Sequence, residues 1–165
     1  MIIRPGSVDD LAHITEIHNY YVQNTHITFD IRTFTPEQRV PWFHEHSDGR
    51  RHRILVAEEN SKIIGYTATG AFRTKEAYET TVEVSVACAP GITGKGIGSK
   101  LYEALFGLLE KEDVHRVVAG IAQPNTASNA LHARFGFKPI GAFTEVGRKF
   151  GKYWDVLWME KTMPG

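Results

Sequence analysis

Residues 80–99 constrain this chain more than any other stretch. Val82, Val84, Val86 and Cys88 alternate with Thr81, Glu83, Ser85 and Ala87, the period-two pattern of a strand with one apolar face. Glu83 and Ser85 share the opposite face, so a carboxylate is expected in mid-sheet. Four glycines, Gly91, Gly94, Gly96 and Gly98, follow within eight residues, and Leu101, Leu105, Leu108 and Leu109 then recur at helical spacing. Strand, glycine loop and helix succeed one another directly.

Such a loop lets backbone N–H groups approach a ligand at a helix start, where the dipole and the orphan donors favour phosphate. A tight turn ahead of a helix is the alternative, and the glycines alone leave both open. The Walker A pattern fails, because Gly94-Lys95 follows Gly91 too closely and Lys95 precedes Gly96 where Ser or Thr is required. The dinucleotide fingerprint also fails: Ser99 occupies its third glycine position.

The rest of the chain reads as one domain spanning 1–165. It has 165 residues, 42% of them apolar and 23% charged, which suits a single α/β or α+β core without staples. A lone Cys88 and the lack of a charged-then-apolar leader predict a cytoplasmic protein. Nineteen basic residues balance nineteen acidic ones, which removes any global attraction to nucleic acid or anionic membrane. The eight histidines contain neither HExxH nor a Cys/His quartet, so no metal site is expected. A helix is predicted from the Ser7-Val8-Asp9-Asp10 start to Asn24, and a second from Thr35-Pro36, with Gln38 completing a capping box, to His46. Residues 54–58 and 63–68 read as a hairpin around Glu59-Asn60-Ser61. The continuous apolar run 117–122 predicts a central or parallel strand, and 127–135 a short helix stopping at Gly136. Two closing strands are expected at 140–146 and 153–161, separated by a loop at 147–152.

Several of these pieces fall in a recognisable order: Glu83-Val84-Ser85-Val86, Pro90, Gly94-Lys95-Gly96-Ile97-Gly98-Ser99, and then Pro124-Asn125 with Ser128, His132 and Gly136-Phe137 at fixed spacing. Together with Ala77-Tyr78, the run 146–151 and Trp154-Asp155, they resemble the GNAT superfamily of N-acetyltransferases, and within it the phosphinothricin and methionine sulfoximine acetyltransferase group. The similarity runs from about residue 3 to 161. It implies an α+β, three-layer fold: a mostly antiparallel central sheet of about seven strands, one parallel central pair and about four helices. Three positions depart from the family pattern. Thr93 stands where relatives carry Gln or Arg, Ala87 where they often carry Tyr, and Lys75 where they often carry Arg.

The resemblance implies acetyl transfer from acetyl-CoA to an amine. At pH 7 a primary amine of pKa near 10.4 is neutral in roughly one molecule in two to three thousand, a cost of about 4–5 kcal/mol. Glu83 is the carboxylate placed to take that proton, and His132 is expected to share the catalysis as acid or base. For the cofactor, backbone groups of Val86, Ala87 and Cys88 would bind pantetheine, Gly94, Lys95, Gly96, Ile97, Gly98 and Ser99 would wrap the pyrophosphate, and Asn125 would hydrogen-bond the arm. Cys88 itself is read as an inert residue of the apolar face. Arg73, Lys75 and Tyr78, with Glu83 and Ser85, would hold a small amino-acid-like acceptor. Phe29 and the 148–150 loop would complete that pocket across a homodimer interface. A protein amine, another small amine, or acyl-CoA binding without catalysis are the competing readings.

Overall fold

The computed structural model describes residues 1–92 and 94–164. Seven strands form one sheet: β1 (Ile2–Pro5), β2 (Ile54–Glu59), β3 (Lys62–Ala71), β4 (Thr81–Cys88), β5 (Arg116–Ala122), β6 (Lys138–Lys149) and β7 (Lys152–Thr162), in the order β1-β2-β3-β4-β5-β7-β6. The α-helices are α1 (Leu11–Asn24), α2 (Val40–Glu45), α3 (Ile97–Leu109) and α4 (Thr126–Arg134), with three short 3-10 turns besides. All strand pairs are antiparallel except β4 with β5. The expected three-layer arrangement, seven strands and one central parallel pair are all present.

The layers follow from the two faces of the strands. Val82 and Val84 of β4 join Leu101, Tyr102, Leu105 and Leu109 of α3 in one core. Leu55 and Ala57 of β2 point to the same side, while Val56 and Ile54 point to the other and pack with Leu11, Ile14 and Ile17 of α1 and Phe43 of α2. Gly65 is required by the first contact, because a Cβ there would lie 3.0 Å from Ile97 Cγ2. Helix α1 is preceded by a 3-10 turn, Val8–Asp10, in which Ser7 N donates to Asp10 Oδ2 at 2.8 Å.

Element boundaries shift in two places. The predicted second helix opens as a 3-10 turn, Glu37–Arg39, before α2; its capping box is present, with Thr35 N to Gln38 Oε1 at 2.9 Å and Gln38 N to Thr35 Oγ1 at 3.2 Å. The loop expected at 147–152 is mostly strand. β6 and β7 turn through Phe150 and Gly151 alone, with φ of 54° and 68°, so β6 is much longer than the 140–146 expectation and β7 extends one residue beyond 153–161 at each end. The Asn60-Ser61 turn of the first hairpin uses the same left-handed pair, φ 51° and 62°.

Candidate active site

The site begins where the parallel pair ends. β4 and β5 are in register only at Thr81–Arg116, Val82–Val117 and Glu83–Val118. Beyond Glu83 the strands part: β4 stays paired with β3 as far as Cys88, and β5 with β7 as far as Ala122. The edge of β4 over residues 84–88 therefore faces an open wedge without a strand partner among the described residues. A backbone edge of that kind holds an extended polar chain as an added strand would.

One cavity, about 460 Å³, fills the wedge on the glycine-loop side. Its walls include Val86, Ala87 and Cys88, then Gly94, Lys95, Gly96, Ile97, Gly98 and Ser99, and Asn125 with His132. Gly96 caps α3 in the left-handed conformation, φ 67° and ψ 23°, with no side-chain cap. The first intrahelical bond is Lys100 N to Gly96 O at 3.0 Å, so the N–H groups of Ile97 and Ser99 are orphan donors at the positive end of the helix. Gly98 allows α4 to approach, since a Cβ there would lie 3.1 Å from Leu131 Cδ2. Its N–H points at the Cys88 thiol, whose pKa burial nonetheless pushes up, consistent with an inert cysteine. Lys95 leans toward Glu59, with 3.6 Å between charges, and remains largely exposed. Asn125 caps α4 by accepting from Ser128 N at 3.2 Å, which leaves its amide N–H₂ as a donor to the cavity. Thr93 lies outside the described residues.

A second cavity, about 380 Å³, lies on the other side of the parting and contains Glu83. The two share walls: Ser85, Val86, Ala87, Gly120 and Ala122 line both, together with Tyr21 and Ile27 from the α1 side. Tyr21 is held there by donating its hydroxyl to Cys88 O at 2.6 Å. The Glu83 side chain makes no hydrogen bond or ion pair among the described residues. Burial pushes its carboxyl above the ordinary range, and the positive field of Arg73 partly offsets this.

Of the acceptor residues expected from the sequence, the structure brings Glu83, Ser85 and Phe29 together in this cavity. Phe29 is clamped by its own chain, for a Cβ at Gly147 would overlap its ring. Arg73, Lys75 and Tyr78 are not wall residues. They sit on the exposed connection between β3 and β4, where Arg73 stacks over Phe72 at 4.7 Å and Phe72 abuts Trp158 of the wall. Arg148, Lys149 and Phe150 line a separate hollow, with Lys149 Nζ donating to Thr28 O at 2.8 Å.

His132 is bonded within the protein through both ring nitrogens. It is 3% exposed, and Nδ1 faces Ser128 O at 2.7 Å, so that nitrogen carries the proton. Nε2 is then the acceptor for the Tyr102 hydroxyl at 2.8 Å. Burial pushes the imidazole below its ordinary value, and the bond to the Ser128 carbonyl partly offsets this. Both nitrogens are spent inside the protein, and the ring packs edge-on to Tyr102 and Phe137.

Sequence reasoning missed Arg39, Trp42, Tyr66 and Trp158, all of which line the cavity that contains Glu83. Arg39 and Trp42 were hidden in a helix that looked ordinary, and Trp158 in a closing strand.

Residues 3–158 match the acetyltransferase (GNAT) domain family, and the chain belongs to it. It is an N-acetyltransferase, and like the enzymes of this family it uses acetyl-CoA. A phosphinothricin N-acetyltransferase of Streptomyces coelicolor is 52% identical over 98% of this chain and 95% of its own length. An L-methionine sulfoximine/L-methionine sulfone acetyltransferase of Salmonella typhimurium is 36% identical over 97% and 93%. Among solved structures, a ribosomal-protein-alanine N-acetyltransferase from Brucella melitensis superposes with a TM-score of 0.93 at 35% identity, covering 99% of this chain and all of that one. A phosphinothricin acetyltransferase from Sinorhizobium meliloti, solved with acetyl-CoA, gives 0.92 at 30% identity, covering 98% and 88%.

Proposed function

We propose that this enzyme acetylates the primary amine of a small amino-acid analogue of the phosphinothricin or methionine sulfoximine type, by direct attack, with Glu83 as general base. The observation that carries this reading is the common wall of Ser85, Val86, Ala87, Gly120 and Ala122: a donor seated in the wedge delivers its acyl end beside the cavity that contains Glu83. The orphan N–H groups of α3 hold the pyrophosphate, and the free edge of β4 holds the pantetheine arm and supplies backbone donors to the thioester carbonyl. Glu83, lifted by burial, takes the proton from the acceptor ammonium or amine directly or through one water. The neutral amine nitrogen then bonds to the acetyl carbon as the carbon–sulfur bond breaks, and the proton the nitrogen sheds passes to the departing sulfur, directly or through water, so that coenzyme A leaves as the thiol.

His132 is assigned a positioning role: it ties α4 to α3 and so sets the far wall of the wedge. A small acceptor is favoured over a protein amine because the Glu83 cavity is of solute size. The exposed apolar side chains of β6, Ile140, Phe143 and Val146, support a homodimer built on that outer strand. The unpaired Cys88 is in keeping with a cytoplasmic location. Thiol release from acetyl-CoA, measured with phosphinothricin, methionine sulfoximine, free amino acids and an N-terminal alanine peptide, tests the reading. Turnover with the first two well above the peptide is expected. Preference for the peptide, or release without any amine, contradicts it.

A further inference from the structure

Two of the three buried side-chain polar atoms that find no partner among the described residues are Arg39 Nη1 and Trp158 Nε1, and both residues line the cavity that contains Glu83. Arg39 is 5% exposed. Its guanidinium lies 4.0 Å from the Trp42 ring centroid and 5.8 Å from that of Phe34, so aromatic faces fix its plane. It forms no ion pair among the described residues. The neighbouring carboxylate, Asp30, is taken by His18 Nε2 at 2.8 Å. A buried guanidinium with an unspent N–H is costly unless an anion completes it. Gly120 lacks a side chain because the Trp158 indole occupies that space, with 3.0 Å to a Cβ built there, which sets the indole against the wall shared by both cavities.

We infer that Arg39, assisted by the Trp158 indole N–H, is the oxyanion receptor of the acceptor cavity and selects zwitterionic amines. This deepens the proposed function and rests on it. Glu83 faces the amine, and the guanidinium holds an oxyanion of the same molecule: the α-carboxylate, or the phosphinate or equivalent oxygen of its tail. Arg suits either, since its planar fork offers paired donors to two oxygens.

Steady-state kinetics of the full chain with four acceptors of similar shape test this. Phosphinothricin carries both anions, 3-aminopropyl(methyl)phosphinate only the phosphinate, methionine sulfone only the carboxylate, and 3-(methylsulfonyl)propylamine neither. R39Q is expected to lower kcat/KM about 10- to 100-fold through KM for acceptors carrying the recognised anion, leaving the neutral amine within about twofold. R39K recovers part of the loss. A penalty confined to the two carboxylate acceptors identifies the α-carboxylate, and one confined to the two phosphinates identifies the tail; each supports the inference. Equal loss on all four acceptors, or none on any, overturns it. Should R39Q fail to fold, competition in the wild type decides: acetate or dimethylphosphinate competes with the neutral amine, and the absence of competition by both overturns the inference. A wild type that acetylates none of the four counts against the proposed function. Wild-type turnover without an anion-selective loss counts against the role of Arg39 alone.

Discussion

The Tyr102 hydroxyl donates to His132 Nε2 across 2.8 Å, joining the core of α3 to α4 through side chains thirty positions apart. Because the other ring nitrogen is bound to Ser128 O, the imidazole is a fixed strut between the helix that opens with the glycine loop and the helix capped by Asn125.

Replacing Tyr102 with Phe removes the donor and leaves a buried acceptor unsatisfied, at a cost of about 1–3 kcal/mol. Thermal unfolding is expected to shift downward by several degrees while kcat stays within about threefold. H132A is expected to lose stability and acetyl-CoA affinity rather than the orders of magnitude in kcat that loss of an acid or base brings. A flattened pH–rate profile in H132A, with normal stability, would return His132 to catalysis.

Gly96 adopts a left-handed conformation at the N-cap of α3. A β-branched side chain there costs about 1–2 kcal/mol. G96V is expected to raise the acetyl-CoA Kd about tenfold or more, read by calorimetry, with a smaller effect on acceptor KM. Unchanged donor affinity would remove the loop from donor binding.

Ile140, Phe143 and Val146 are 56%, 58% and 55% exposed on β6, the outermost strand of the sheet. Analytical ultracentrifugation is expected to find a dimer, and F143K to shift it toward monomer. A monomeric wild type at micromolar concentration contradicts the dimer.

Arg4 holds the Asp10 carboxylate through two 2.8 Å hydrogen bonds, and with Ser7 N–H it lowers the Asp10 pKa to about 2. Since the folded value lies below the unfolded one, the pair stabilises above about pH 4, and that contribution fades as pH falls toward 2. The difference corresponds to about 2 kcal/mol. D10N should remove that amount at neutral pH, and little at pH 2, in denaturant titrations.

The strand-loop-helix order at 80–99 was legible because alternation and glycine spacing are local properties. Residue 83 fell on the expected face for the same reason. The long β6–β7 hairpin was not legible, because Phe150 in a left-handed turn carries no glycine-like signal and the flanking Gly147-Arg148-Lys149 reads as loop. Nothing in the sequence singles out Arg39, since its burial depends on its packing against Phe34 and Trp42. The hydrogen bonds that immobilise His132 come partly from α3, which spacing along α4 cannot reveal.

The most direct test of the central claim is the pH–rate profile of wild type and E83Q with a good amine acceptor. Because burial raises the Glu83 carboxyl, the acidic limb of the wild type should lie above the ordinary carboxylate range. E83Q should lose about 10²- to 10⁴-fold in kcat at pH 7, and recover toward wild type as rising pH deprotonates the amine, with acetyl-CoA affinity unchanged. Superimposable profiles for the two proteins would contradict the account.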